Sequence, residues 1–281
     1  MMEKYIDLHT HSIYSDGSMT PAELVRHAKD EGLSAIALSD HDSIGGVAEA
    51  VEEGKRIGIE VIPAIELSAE AETETHILGY YIDINNQALL DKLEYVRQVR
   101  REREEEICEK LRGLGFDVSM EEVEELAETD VLCRAHFAKL MVAKGYVESV
   151  KQAFDLYLAN GRPAYSGRQA MTDEEAVKLI AEAGGVSFLA HLHLTRKPHD
   201  ELVSFVKRLK DVGLCGIEGY YTEYTPEMQD EFQAIAGDLG MPISGGTDFH
   251  GAFKPHISIG RGLGNMSIPY SLLDTIKNAN N

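Results

Sequence analysis

Tyr5-Ile6-Asp7-Leu8-His9-Thr10-His11 opens the stretch that decides the fold, and Glu60-Val61-Ile62-Pro63-Ala64-Ile65-Glu66 closes it. The first run is apolar up to Leu8 and polar at His9 and His11, as a buried strand is where it leaves a sheet. Thr20-Pro21-Ala22-Glu23 follows, with a capping Thr, Pro at the first helical position and Glu on the third. A helix therefore starts there and stops near Gly32. Ser34-Ala35-Ile36-Ala37-Leu38-Ser39 reads as the second strand and ends in Asp40-His41-Asp42. A helix over Gly46 to Ile57 leads to the third strand, which ends in Glu66. Strand, polar cluster, helix, strand is the rhythm of a parallel α/β fold. The chemically capable residues stand just past the C-terminal ends of the strands, where barrel enzymes place their sites.

Thr75 to Ile84 reads as another strand, after which the pattern turns helical. Leu89 to Leu114, a short acidic helix capped by Ser119 and Glu122, Arg134 to Lys144, and Val150 to Leu158 all carry apolar residues at helical spacing. The expected organisation is an inserted all-helical subdomain, 87–161, between two barrel segments, 1–86 and 162–281. The charge run Arg100-Arg101-Glu102-Arg103-Glu104-Glu105-Glu106 reads as a solvated helix face. After Arg162-Pro163-Ala164-Tyr165 the α/β rhythm resumes. A helix from Thr172 is capped by Thr172 and Glu175, a strand from Gly185 ends at His191, and Leu202 to Val212 is helical. Gly216 to Tyr220 is strand-like, Pro226 to Leu239 is helical, and the chain then reaches Thr247-Asp248-Phe249-His250.

The 281 residues can bury a large core without disulfide staples. A net charge of −21 repels nucleic-acid backbones and anionic membranes, so a long nucleic-acid docking surface is not expected. A local cluster of cations in a cleft can still take a small phosphorylated substrate. The cysteines, Cys108, Cys133 and Cys215, are widely spaced and form no CxxC pair, which fits a reducing compartment. The N-terminal MMEKYIDLHTHS lacks a signal-peptide core, and no apolar run approaches the ~20 residues of a membrane span. The expectation is a cytoplasmic protein with no membrane contact and no obligate protein partner evident.

Chance placement of the 11 histidines predicts a His-x-His pair roughly 0.4 times. Two occur, His9-x-His11 and His191-x-His193, and both end apolar strands. A strand points residues i and i+2 to the same side, so each pair can offer two imidazoles to one ion. Ser15-Asp16-Gly17, Asp40-His41-Asp42, Glu66, His76 and Asp248-x-His250 add to them. Gathered without a cation, so many imidazoles and carboxylates incur heavy desolvation and repulsion costs. Mixed His and carboxylate donors without Cys suit Mn, Zn or Fe.

Asp7-Leu8-His9-Thr10-His11-Ser12, Ser15-Asp16-Gly17, Asp40-His41-Asp42, Glu66, His191 and Gly246-Thr247-Asp248-Phe249-His250-Gly251 resemble the PHP (polymerase and histidinol phosphatase) family. Arg134-x-His136 and Arg162-Pro163-Ala164-Tyr165 look like its branch of small phosphoesterases, which act on nucleoside 3′,5′-bisphosphates and the 5′ ends of short oligonucleotides. The resemblance implies a distorted (β/α)7 barrel with a helical subdomain over the active site and up to three divalent metals, Mn foremost. It implies His9, His11, Glu66 and Asp248 around the first metal, and Glu66 bridging to a second held by His76 and His191. Asp16, His41 and His250 would hold the third, with Asp40 and Asp42 orienting His41. The run Ala190-His191-Leu192-His193 departs from the family pattern, in which Pro and then a basic residue follow the His191 equivalent. His193 can substitute there as a substrate ligand or proton donor.

Three divalent ions less the charges of Asp16, Glu66 and Asp248 leave a pocket of about +3, enough to draw a phosphate ester to an acidic protein. His9, His11, Glu66 and Asp248 would be catalytic through a metal-bound hydroxide, since metal lowers the pKa of water towards ~7. Arg134 and His136, from the insertion, would clamp a second phosphate or the transferred one, with Arg168 a lesser candidate, and Tyr220 and Tyr221 stack on a base or pack. A phosphatase acting on another small metabolite, such as histidinol phosphate, and a non-catalytic metal-binding module are the alternatives. The complete ligand set speaks against the module.

Overall fold

In the computed structural model the described residues are 4–70, 74–127, 132, 134–167 and 170–279. Strands β1 (Tyr5–Thr10), β2 (Ala35–Leu38) and β3 (Glu60–Glu70) form where the apolar runs fall. They pair in parallel, Ile6 beside Ala35 and Ile36 beside Val61. Helices α1 (Pro21–Asp30) and α2 (Val47–Ile57) cross between them. The Thr20–Glu23 capping box and Pro21 start α1, and Gly58, in the left-handed region, ends α2. Alternation decides which side each β2 residue faces. Ile36 and Leu38 pack with Leu24, Val25, Ala28 and Ala50 of the two helices. Ala35 and Ala37 join Ile6, Leu8, Ile62 and Phe188 in the other core.

β4 (Glu74–Tyr80) turns back antiparallel to β3 and lies antiparallel to β5 (Val186–Leu189) as well. The parallel direction then resumes through β6 (Gly216–Tyr221) and β7 (Ile243–Gly246). A short β8 (Ile268–Pro269) lies antiparallel on β1, so the sheet order is β7-β6-β5-β4-β3-β2-β1-β8. Past β7 the chain returns to β1. His11 N–H donates to Phe249 O at 2.9 Å and Phe249 N–H to His9 O at 3.3 Å, which nearly closes the barrel. This is the expected α/β barrel, with two reversed strands, β4 and the short β8, that the sequence periodicity did not show. The expected strand to Ile84 ends at Tyr80, because Tyr81 adopts φ 61°.

Helix α3 (Gln87–Gly113) is followed by α4 (Met120–Ala127), α5 (Arg134–Ala143), and α6 (Val150–Ala153) with a π-helical turn over Phe154–Leu158. Beyond them α7 (Asp173–Glu182), α8 (His199–Asp211), α9 (Pro226–Asp238) and α10 (Ser271–Ala279) accompany the later strands. The chain divides into two compact units, Met1–Leu93 with Met171–Asn281, and Glu94–Ala170. Both boundaries fall later than 86/87 and 161/162. Leu89 and Leu93, in the first turns of α3, are buried in the barrel unit. At the other end, Lys110 Nζ donates to Tyr165 O at 2.6 Å and Ser166 Oγ to Glu106 Oε2 at 2.8 Å, which ties 165–166 to the helical unit. The helical unit has its own core of Ile107, Leu111, Val123, Phe137, Leu140 and Leu158. No helix among the described residues is long and apolar enough to cross a membrane.

Candidate metal centre and active site

The ends of the barrel strands deliver the donors. His9 is the penultimate residue of β1 and His11 follows the strand, while the register of β1 on β2 shifts between Asp7 and Thr10. A tight turn then brings Asp16 back, with Gly17 N–H donating to Ser12 O at 2.9 Å. A Cβ on Gly17 would run into the His11 carbonyl, so the turn needs glycine. His41 follows β2, Glu66 lies on β3, His191 follows β5, and Asp248 and His250 follow β7. His76 arrives differently. Because β4 runs antiparallel, its beginning lies at this mouth, and His76 pairs with Ser68 two residues past Glu66. Three residues around the centre, Asp42 (φ 48°), His191 (φ 26°) and Asp248 (φ 55°), hold left-handed backbone angles unusual for residues with a Cβ.

The donor atoms form three overlapping groups, in each of which they lie within 4.8 Å of one another. His9, His11, Glu66 and Asp248 make one; His41, Glu66 and His76 another; His11, Asp16, His41 and His250 the third. His191 Nε2 joins the second, 2.9 Å from Glu66 Oε1 and 3.2 Å from His76 Nδ1. Glu66, fully buried, divides its oxygens. Oε2 faces His9 (3.1 Å), His11 (3.3 Å) and His41 (3.2 Å), and Oε1 faces His76 (2.9 Å) and His191. Asp16 Oδ2 lies 3.2 Å from His250 Nε2 and 3.8 Å from His41 Nε2. All nine residues expected as ligands therefore lie together at one end of the barrel unit.

The electrostatics are those of a site arranged for cations. Burial raises the carboxyls of Glu66, Asp248 and Asp16, yet the imidazoles around them hold all three well below the usual range. Burial lowers His9, but Glu66, Glu218 and Asp248 drive it well above its ordinary value. His11, opposed by burial in the same way, is pushed up to about 9 by Asp248 and Glu66. His41 goes to about 4, because burial and the neighbouring His11 and His76 outweigh Glu66 and Asp16. His11 Nε2 and His41 Nδ1 are buried without a hydrogen-bond partner, although each faces carboxylate oxygen within 3.3 Å. Imidazole nitrogens and carboxylate oxygens crowded about common points, with two of those nitrogens lacking a hydrogen-bond partner, are what divalent ions resolve, so these residues fit metal.

The sequence profile of the PHP domain matches residues 7–165, more than half of the chain. The 5′-3′ exoribonuclease Rnm of Escherichia coli K12 is 33% identical over 264 residues, covering 92% of this chain and 88% of that protein. The 3′,5′-nucleoside bisphosphate phosphatase of Chromobacterium violaceum is 32% identical over 250 residues, 87% of each. A Bifidobacterium adolescentis crystal structure, of a candidate metal-dependent phosphoesterase, superposes with TM-score 0.81 at 26% identity over 98% of this chain and 96% of that one. The chain belongs to the PHP-domain family. It is an enzyme, a metal-dependent phosphoric ester hydrolase.

Around the PHP site stand Glu218 and Lys254, which had no expected role, together with Asp7, Tyr221, Asp40 and Asp42. Glu218, on β6 and fully buried, places Oε1 2.9 Å from His9 Nδ1 and accepts the His191 N–H on Oε2 at 2.7 Å. An acid inside an apolar strand was the available signal. Asp7 accepts from Thr247 N (2.9 Å), Thr247 Oγ1 (2.5 Å) and Gly260 N (2.8 Å), tying β1 to the segment after β7. Tyr221 Oη and Lys254 Nζ both donate to Asp248 Oδ2, at 2.9 and 2.7 Å. Asp40, expected to orient His41, accepts instead from Ser12 N, Ser12 Oγ and Ser15 Oγ at 2.6–2.7 Å, and so shapes the turn that carries Asp16. Asp42 accepts from Ser68 N at 2.9 Å.

The site opens to a cavity of about 230 Å³ lined by Asp16, His41, His76, His191, Asp248 and His250, with Tyr221, Glu223 and Lys254 at its edge. His193 Nε2 lies 3.5 Å from Glu223 Oε2, and its ring packs against Tyr221 and Tyr224 at 5.4 and 5.5 Å. Leu192–Thr195 form a 3-10 turn where the family pattern has Pro. In the helical unit, Arg134 begins α5 with its guanidinium 5.4 Å from the Tyr165 ring centre, and His136 is buried. Arg168 lies outside the described residues.

Proposed function

We propose that this PHP enzyme hydrolyses phosphate esters of small nucleotides, either nucleoside 3′,5′-bisphosphates or the 5′ ends of short oligonucleotides. The observation that carries the reading is Glu66, whose two oxygens serve two imidazole groups beside a cavity of about 230 Å³. Such a cavity takes a phosphate and part of a sugar, not a duplex. Two relatives at 32–33% identity are named a 3′,5′-nucleoside bisphosphate phosphatase and a 5′-3′ exoribonuclease, which favours nucleotides over histidinol phosphate.

In this reading His9, His11, Glu66 and Asp248 hold one divalent cation, Glu66, His76 and His191 a second, and Asp16, His41 and His250 a third, with Mn²⁺ first and Zn²⁺ or Fe²⁺ behind it. Bound there, divalent ions supply Lewis acidity and a water acidic enough to ionise near neutrality. The chain's own residues prepare for this. Glu218 beside His9 Nδ1 keeps the proton on that nitrogen and leaves Nε2 to face Glu66 and Asp248. Tyr221 and Lys254 hold one Asp248 oxygen so that the other points at His9 and His11. His193, beside Glu223 and Tyr221, is the proposed contact of the leaving group. Arg134, His136 and Arg168 remain the proposed contacts of a further phosphate.

A phosphate-release screen with Mn²⁺ against adenosine 3′,5′-bisphosphate, dinucleotides, histidinol phosphate and AMP tests the reading. Release from the bisphosphate but not from AMP is expected. Release from histidinol phosphate alone would replace it with the metabolite alternative.

A further inference from the structure

We infer that Lys254 is a substrate-contacting residue of this site, its ammonium meeting a non-bridging oxygen of the phosphoryl group. The inference rests on the phosphoesterase reading above and names a residue within it. Lys254 is the only Lys or Arg among the described residues lining the cavity, where Asp16, Glu223 and Asp248 supply three carboxylates. An oxyanion entering that cavity meets no other lysine or arginine among the described residues that line it.

The position of the ammonium is fixed from its backbone. Lys254 closes the short helical turn Gly251–Phe253, its N–H donating to Gly251 O at 3.2 Å while its carbonyl accepts from Ile257 N at 3.0 Å. Gly251 packs on Ser18, whose Oγ accepts from Ala252 N at 2.7 Å. The turn is thereby anchored to the loop that carries Asp16.

The ammonium has more to give than its present bond uses. It carries three N–H donors and spends one on Asp248 Oδ2 at 2.7 Å. That oxygen already has the Tyr221 hydroxyl at 2.9 Å, so Asp248 keeps its orientation without the lysine. The side chain is about one-third exposed (35%) and lines the cavity, whereas Asp248 is nearly buried (9%). A residue serving only as a strut for Asp248 would duplicate Tyr221; one that also meets phosphate explains a half-open lysine among carboxylates.

The test is calorimetric binding of inorganic phosphate to Mn²⁺-loaded protein, with Mn²⁺ affinity measured separately. Lys254→Gln is expected to weaken phosphate at least about tenfold, the effect of losing one charge-assisted hydrogen bond, and to leave Mn²⁺ affinity within about threefold. Lys254→Arg should recover most of the phosphate affinity. Unchanged phosphate affinity in Lys254→Gln overturns the inference. So does a parallel fall in Mn²⁺ and phosphate affinity, which would make Lys254 a positioning residue for Asp248 alone. Inorganic phosphate is a product of any phosphomonoesterase, so a wild-type enzyme inactive on nucleotides but active on another monoester would end the nucleotide reading and leave this test intact.

Discussion

Glu218 Oε1 lies 2.9 Å behind His9 Nδ1, on the side of the ring away from Glu66, with both side chains fully buried. A carboxylate behind a ligating imidazole sets the tautomer and raises the basicity of the nitrogen in front. Glu218→Gln preserves shape but can donate to Nδ1 and so invert the tautomer. We expect Mn²⁺ affinity to fall about 10–100-fold with near-native far-UV circular dichroism. Affinity unchanged in a metal titration would show that Glu218 acts only on the His191 backbone.

Glu66 serves two donor groups with separate oxygens, so its loss should cost more than one ion. Glu66→Ala is expected to lower bound metal, measured by plasma mass spectrometry after dialysis, by more than one equivalent per chain. His250→Ala, whose ring belongs to one group alone, should remove no more than one. Turnover in Glu66→Ala should drop by at least about three orders of magnitude, in line with the loss of metal-derived nucleophile and charge stabilisation.

The titrations set a pH dependence whose sign can be worked out. His9 is raised well above its ordinary value and His11 to about 9, so both carry protons at neutral pH when no metal is bound. A metal must displace those protons, so Mn²⁺ binding should release protons and tighten as pH rises from about 6.5 to 9. Raised imidazoles stabilise the folded chain fully below their unfolded value near 6.5 and lose that contribution as pH climbs through 9. The metal-free melting temperature should therefore fall across that window, and the metal-loaded one should fall less. Thermal melts at pH 6.5 and 9, with and without Mn²⁺, check both signs.

Much of this was legible because strand ends announce themselves. His9, His41, Glu66 and His191 each follow an apolar run, and a parallel α/β rhythm places such residues at one mouth. His76 was not legible in that way. It begins a strand and reaches the site only because β4 is reversed, a fact of pairing that local sequence does not carry. Glu218 hid inside a strand, and Lys254 sits in an irregular turn with no periodicity to mark it. The unit boundary at Leu93 was invisible because α3 runs on unbroken while its packing partners change. Asp40 was misassigned because adjacency in sequence suggested His41, whereas its carboxylate bonds Ser12 and Ser15 from the preceding loop.

Two glycines make a paired test of how closely β7 approaches β1. A Cβ at Gly246 would collide with the backbone and Cβ of His9, atoms that cannot move without displacing a proposed ligand. Gly237, inside α9, has nothing within 4 Å of a built Cβ and no left-handed backbone angle. Gly237→Ala should thus stabilise the chain by about 0.4–1 kcal/mol through helix propensity and a less free unfolded state. Gly246→Ala should destabilise it by about 1–3 kcal/mol and cut Mn²⁺ affinity, since relief of the overlap moves His9. Denaturant melts give both stabilities and calorimetry the metal affinity. Equal effects of the two substitutions would mean that β7 does not press on His9.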